Sequence, residues 1–252
     1  MNLDYIVTEW CLLSVEDLFF PIITGNETDE NKKEDNRVLE KIRSKMLKSL
    51  SSKDILRQAT EGLVFLHSFN FVHRNLKPSN ILIAQDKRNP EKYVVKLSDF
   101  RTAKNLQDEK EQEHSGPSGS DGWIAPYPET EGAKKIQTDS KEDVFILGCL
   151  YYYVLDPKHH HPFGNSLDRI KNIKEKNYKV NWDPFQTSSK NQAIAIIKDM
   201  IQYDPKKRPD IKTILDRAYF LPEDYYKLYD VPNQIPGLCV IFNQEKFDNK
   251  VR

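Results

Sequence analysis

Apolar residues recur along this 252-residue chain at two periods, and the change from one to the other marks out its elements. Tyr5-Ile6-Val7-Thr8-Glu9-Trp10-Cys11 is rich in β-branched and aromatic residues and predicts a strand running into a connector. Ser14 to Leu18 predicts a short helix start, with Ser14 as cap and Asp17 at the place of a capping-box acid. Val38, Leu39, Ile42, Met46, Leu47 and Leu50 have the spacing of an amphipathic helix. Ile55 to Ser68 predicts a stronger one, with Ile55, Ala59, Leu63 and Leu66 on one face and Val64 and Phe65 widening it. Two short apolar runs, Asn80 to Ala84 and Tyr93 to Leu97, flank a turn-rich Gln85 to Glu91 and predict a β-hairpin. Helical patterns return at Lys141 to Leu155, Asn191 to Gln202 and Ile211 to Ala218. No internal repeat is present.

Composition changes this picture in three places. From Gly25 to Asp54 half of the residues are charged and none is aromatic, so Asn26 to Asn36 is expected to be a disordered loop. Lys104 to Gly122 is polar, with glycine and serine, and is expected to be a mobile loop. The tail beyond Leu221 is broken by prolines at 222, 232 and 236. Lysine plus arginine equals aspartate plus glutamate at 38 each, so no global charge points to nucleic acid or to a membrane surface. The three cysteines, Cys11, Cys149 and Cys239, lie far apart with neither metal-ligand nor disulfide spacing, which suits a reducing compartment. The chain opens without a signal-peptide pattern. Its longest apolar run, Val144 to Leu155, falls short of the about 20 residues a bilayer span needs, so a cytoplasmic protein with no membrane segment is expected.

The chemistry lies around the predicted hairpin. His73-Arg74-Asn75-Leu76-Lys77-Pro78-Ser79-Asn80 precedes it and Ser98-Asp99-Phe100-Arg101 follows it. The second stretch by itself would be an ordinary polar turn. The two together resemble the catalytic loop H-R-D-L-K-P-x-N and the metal-binding D-F-G turn of protein kinases. The resemblance continues downstream through Gly119-Ser120-Asp121-Gly122-Trp123-Ile124-Ala125-Pro126, Asp143 and Arg208-Pro209. Gly122 to Pro126, Ile55 to Ile83, Tyr152-Tyr153-Val154 and His161-Pro162-Phe163-Gly164 are similar to the inositol-requiring kinase–endoribonuclease family and its relative ribonuclease L.

The resemblance implies an α+β, protein kinase-like fold: a mostly helical large lobe over 55–221, a hinge strand and first helix over 1–24, a charged insertion over 25–54, and a C-terminal tail over 222–252. It implies that Asn80 and Asp99 hold Mg²⁺, that Lys77 neutralises the transferred phosphate, and that His73 and Phe100 stack beneath them. Glu9 and Cys11 would be the hinge against the adenine of ATP, Thr8 would guard the pocket, and Leu82 would lie under the base. Asp143 would hold the catalytic-loop backbone, and Arg208 would pair with the closing glutamate of the activation segment.

Four departures qualify what is implied. Asn75 stands at the place of the catalytic base; an amide cannot accept the hydroxyl proton, and losing such a base costs about 100- to 10,000-fold. Arg101 replaces a permissive glycine. Glu129 is separated from Ala125-Pro126 by two residues, so either it still reaches Arg208 or that pair is lost. Too few residues precede Glu9 to hold a glycine-rich loop and a phosphate lysine, so the small lobe is expected to be largely absent from this chain, and no endoribonuclease module follows.

Pro236 to Phe247 resembles the first core strand of a caspase-type domain, without the protease's nucleophile or histidine segments; Gly237 to Phe242 reads better as a plain apolar tail strand. The expectation is a catalytically impaired kinase-like module with weak affinity for ATP and Mg²⁺, acting through a protein partner or a separate small lobe, with no nucleic acid bound. The other reading is an active serine/threonine kinase of the inositol-requiring type, seen as an N-terminally truncated chain.

Overall fold

The structure, a computed structural model, describes residues 9–20, 30–108, 113–114, 122–126, 136–137, 139–180, 182 and 188–221. Strand β1 (Leu13–Ser14) leads directly into helix α1 (Val15–Phe19), which Ser14 and Asp17 start with the expected reciprocal capping box. Helices α2 (Glu30–Ser49) and α3 (Ser52–Ser68) follow, then strands β2 (Phe71–Val72), β3 (Ile81–Gln85), β4 (Tyr93–Leu97), β5 (Lys104–Asn105), β6 (Glu113–His114) and β7 (Ile136–Gln137). Helices α4 (Lys141–Leu155), α5 (Arg169–Lys174) and α6 (Ser188–Met200) complete the set.

The hairpin forms as expected. β3 pairs antiparallel with β4 from Ile81 opposite Leu97 to Gln85 opposite Tyr93, and β1 joins the other edge with Leu13 opposite Ile83. The segment from Glu9 to Leu12 is irregular, tied to the sheet where Leu12 N–H donates to the Ile83 carbonyl at 2.8 Å. Tyr5 to Thr8, expected as strand, lie outside the described residues.

Helix α4 is the centre of the core. Apolar residues surround it on all sides, and Glu142 to Val154 are all buried, the behaviour of a helix packed against other elements on every face. Gly148 sets its approach to α6: a Cβ there would lie 2.7 Å from Met200 Cβ and 2.8 Å from Ile201 Cγ2. Helix α3 contributes Ile55, Leu56, Ala59 and Leu63 to the same core. Among the described residues no helix is long and apolar enough to cross a membrane.

Four expectations are corrected. The charged stretch is helical from Glu30 onward, because α2 is anchored at its far end by Met46 and Leu50 in the core and by Arg43, whose Nε donates to the Leu18 carbonyl at 2.7 Å. Once nucleated there, the helix extends through solvated charged turns carrying the pairs Arg43–Glu40 and Arg37–Glu34. Phe65 does not widen the buried face of α3 but is exposed; it sits about 200° around the helix from Leu63. Part of the polar stretch after Lys104 pairs as strand, β5 with β2 and β6 with β7. Ile211 to Ala218 is not a helix: it holds 3₁₀ turns at Ile211–Thr213 and Ala218–Phe220. Ile211 and Ile214, three residues apart, are both buried, a spacing a 3₁₀ turn satisfies.

Candidate active-site cleft

The loop from His73 to Asn80 has little regular structure of its own, so other elements must hold its backbone. Asp143, wholly buried in the first turn of α4, does this. Its Oδ2 accepts from His73 N–H at 2.7 Å and its Oδ1 from Arg74 N–H at 2.8 Å. His67, at the end of α3, places Nε2 2.9 Å from the same carboxylate. Three contacts from two elements therefore fix one carboxylate, and the carboxylate fixes the loop. Arg74 takes a left-handed backbone, φ 64°, and its buried side chain lies 3.5 Å from Glu142.

His73 links the loop to the end of the hairpin. Its Nε2 lies 2.9 Å from the Ser98 carbonyl, which can only accept, so Nε2 carries the proton. Nδ1 is then the acceptor for Asn75 N–H at 3.3 Å. Burial lowers the His73 pKa, in keeping with a ring held neutral. Phe100 packs on this ring at 4.9 Å between centroids, as expected, but it is half exposed rather than in the core.

Asn75, Asn80 and Asp99 come together. Asn80 Nδ2 donates to the Asn75 carbonyl at 2.7 Å, and Asn75 Nδ2 donates to Asp99 Oδ2 at 2.8 Å. Asp99 has a left-handed backbone, φ 62°, which turns its carboxylate toward Asn75. Arg101 then grips that carboxylate with two prongs, Nε to Oδ1 at 2.6 Å and Nη2 to Oδ2 at 2.9 Å. This pairing, the largest influence on Asp99, pulls its pKa down to about 2.

These residues do not fit a divalent ion in this arrangement. Mg²⁺ needs oxygen lone pairs at about 2.0–2.1 Å, and here N–H groups are directed at both Asp99 oxygens. The grip of Arg101 was not anticipated from sequence, although an arginine two residues after an aspartate is a signal for a local fork.

The other candidates line the sheet. Leu82 is half-buried on β3, opposite Ser14 on one side and Lys96 on the other. Lys77 is half-buried in extended backbone just before the Pro78–Asn80 turn. Glu9 is held to the sheet by Lys96 Nζ at 2.6 Å and Lys87 Nζ at 3.1 Å, and Lys96 is the main cause of its lowered pKa. The Cys11 thiol is 3.8 Å from the Glu9 carbonyl. Thr8 lies outside the described residues.

Arg208 and Trp123 make two further sets of contacts near the loop. The buried Arg208 is satisfied by carbonyls: Nε donates to Gln202, Nη1 to Lys141, and Nη2 to Tyr203 and Pro126. Glu129, its expected partner, lies outside the described residues. Trp123 packs edge-on against His161 at 4.6 Å and Tyr153 at 5.9 Å, with the Arg169 guanidinium over its ring at 5.6 Å. The Gly-Trp-Ile-Ala-Pro, Tyr-Tyr-Val and His-Pro-Phe-Gly stretches, separate in sequence, thus converge on one cluster.

Comparison with known proteins agrees with this geometry. The family model described as protein kinase domain matches residues 26–220. Similar curated proteins include the serine/threonine-protein kinase/endoribonuclease ire-1 of Caenorhabditis elegans, 36% identical over 68% of this chain and 18% of that protein. The sensor for unfolded proteins in the ER of Schizosaccharomyces pombe is 31% identical over 90% of this chain and 21% of its own length. An inactive serine/threonine-protein kinase/endoribonuclease of Arabidopsis thaliana is 33% identical over 66% of this chain and 28% of its own length. The chain therefore spans 18–28% of the length of these relatives. From the loop fixed by Asp143 to the family match over 26–220, the chain belongs to the protein kinase family and resembles its kinase–endoribonuclease branch.

Proposed function

We propose that this chain is a catalytically impaired kinase-fold module, a pseudokinase with weak affinity for ATP at most, which acts by binding protein partners. The observation that carries the reading is the environment of Asn75. Its side-chain amide donates to Asp99, so the group at the base position presents an N–H to the cleft's carboxylate and has no basic site to take up a proton. General-base help at such a step is worth about 100- to 10,000-fold, and no neighbouring carboxylate among the described residues is free to supply it: Asp99 is engaged by Arg101, and Asp143 is buried on the loop backbone. Weak adenine binding would use the irregular Glu9–Cys11 segment and Leu82, with Lys77 beside the phosphates. Groups above the phosphates would come from a small lobe.

An active serine/threonine kinase of the unfolded-protein-sensor type is the second reading. The preserved frame of Asp143, His73 and Ser98 favours it, as do the names of most of the relatives. Phosphate transfer separates the two. The chain is incubated with γ-labelled ATP, Mg²⁺ and a generic protein substrate, beside an Asp99→Ala control. Incorporation no greater than the control's is expected. Incorporation above it, into the substrate or into the chain itself, would overturn the pseudokinase reading.

A further inference from the structure

We infer that Arg101 is the resident counter-cation of this cleft: its guanidinium occupies the place on Asp99 that a divalent ion would take, so the module closes its own metal position. The geometry is a planar fork on a carboxylate, with Nε on Oδ1 at 2.6 Å and Nη2 on Oδ2 at 2.9 Å, the strongest arrangement available to an arginine. The Asn75 amide adds a third N–H to Oδ2 at 2.8 Å. A metal can reach Oδ2 only by displacing the guanidinium or turning this amide away, and at Oδ1 it must share the oxygen with the guanidinium N–H.

Electrostatic balance leads to the same place. Asp99 carries one negative charge and Arg101 one positive charge, so the pair is neutral as it stands. With an acid at 75 and a glycine at 101, the same positions would hold two carboxylates within hydrogen-bonding distance, an arrangement that an intervening cation or a shared proton must relieve. The amide at 75 removes one of those charges and the arginine at 101 neutralises the other. The two departures therefore act as one change: each removes part of the excess negative charge that a metal would otherwise balance.

Tethering adds to the effect. Arg101 is covalently two residues from its partner and is presented to it at a high effective concentration, whereas a free ion must compete from solution. The left-handed backbone at Asp99 keeps the carboxylate facing Asn75 while Arg101 approaches from the solvent side, its side chain 85% exposed. Nothing in the core depends on the arginine, so it can be replaced without disturbing the fold.

The inference shares the Asn75 contact with the proposed function but concerns metal binding alone, and its test involves neither nucleotide nor turnover. Binding of manganese chloride to the 252-residue chain is followed by the electron paramagnetic resonance of the free ion. Four proteins are compared: the unaltered chain, Arg101→Gly, Arg101→Gly with Asn75→Asp, and Arg101→Gly with Asp99→Asn. Circular dichroism checks that each is folded.

The unaltered chain is expected to bind no more Mn²⁺ than the Asp99→Asn protein. Arg101→Gly should gain about five- to tenfold in affinity, and adding Asn75→Asp should raise it further. The inference is overturned if the unaltered chain already binds Mn²⁺ through Asp99 as tightly as Arg101→Gly does. It is equally overturned if the Asn75→Asp, Arg101→Gly protein gains no affinity over the unaltered chain.

Discussion

Asp143 organises more of this site than any residue that faces the cleft. Wholly buried, it accepts two backbone N–H groups of the His73–Asn80 loop and meets His67 from α3. Asp143→Asn keeps the shape but loses the charge and turns a donor toward a backbone donor. Hydrogen bonds to a charged group are worth about 1.5–3 kcal/mol each, so a loss of about 3 kcal/mol of unfolding free energy is expected, read from a lowered urea midpoint. An unchanged midpoint would show that the loop holds itself.

His73 gives a second prediction at this scale. Burial depresses its pKa in the folded state, so between that value and the unfolded value of about 6.5 the unfolded chain binds more protons. Stability is then complete above about 6.5 and lost as pH falls below it, when Nδ1 can no longer accept from Asn75. Buried His161, its pKa likewise depressed, adds the same sign, so the test is a comparison. Denaturation midpoints of His73→Gln should fall less steeply between about pH 7 and about pH 5 than those of the unaltered chain. Parallel slopes would assign the whole effect to other groups. The roles of Asp143 and His73 were readable because a spaced motif carries them. The part played by His67 was not: it comes from packing between residues 76 positions apart, which no local pattern encodes.

Among the elements, those with a strong periodic signal formed where they were expected, and those decided by competition did not. The hairpin and helices α3, α4 and α6 have an apolar pattern that one geometry satisfies. The charged stretch before α3 has a composition that suits disorder, yet burial of Met46 and Leu50 at one end settles it as a helix. At 211–218 Asp210 turns back on the chain, its carboxylate accepting from Lys212 N–H and its carbonyl from the Thr213 hydroxyl, and stops at a 3₁₀ turn. Helix α4 offers a test in which two element-scale forces oppose each other. Gly148→Ala improves helix propensity by about 1 kcal/mol. The new methyl, however, would sit 2.7 Å from Met200 Cβ and 2.8 Å from Ile201 Cγ2, with no room to relax between two packed helices. Overpacking of this kind costs about 1–3 kcal/mol. Net destabilisation is expected in thermal or urea unfolding, and a gain in stability would mean that α4 and α6 can separate freely.

Over the whole molecule, the described residues pair a well-filled core around α4 with a surface that still carries large rings. Phe65 is 67% exposed and Phe69 57%, packed edge-on at 5.0 Å at the end of α3, and Phe71 on the following β2 is exposed as well. Position 65 faces away from the core by helix geometry, so folding gains nothing from this ring. Clustered exposed aromatics of this kind mark interaction sites or points of self-association, consistent with a module that works by binding. The expected behaviour is concentration-dependent association, seen as an apparent mass that rises with protein concentration in light scattering after size exclusion. Phe65→Ser with Phe69→Ser should reduce that association. Because both rings lie mostly in solvent, the double variant should keep its unfolding free energy within about 0.5 kcal/mol of the unaltered chain's. A chain that stays monomeric at every concentration would refute the assignment. So would a double variant that associates as before, since the contact would then lie on another face.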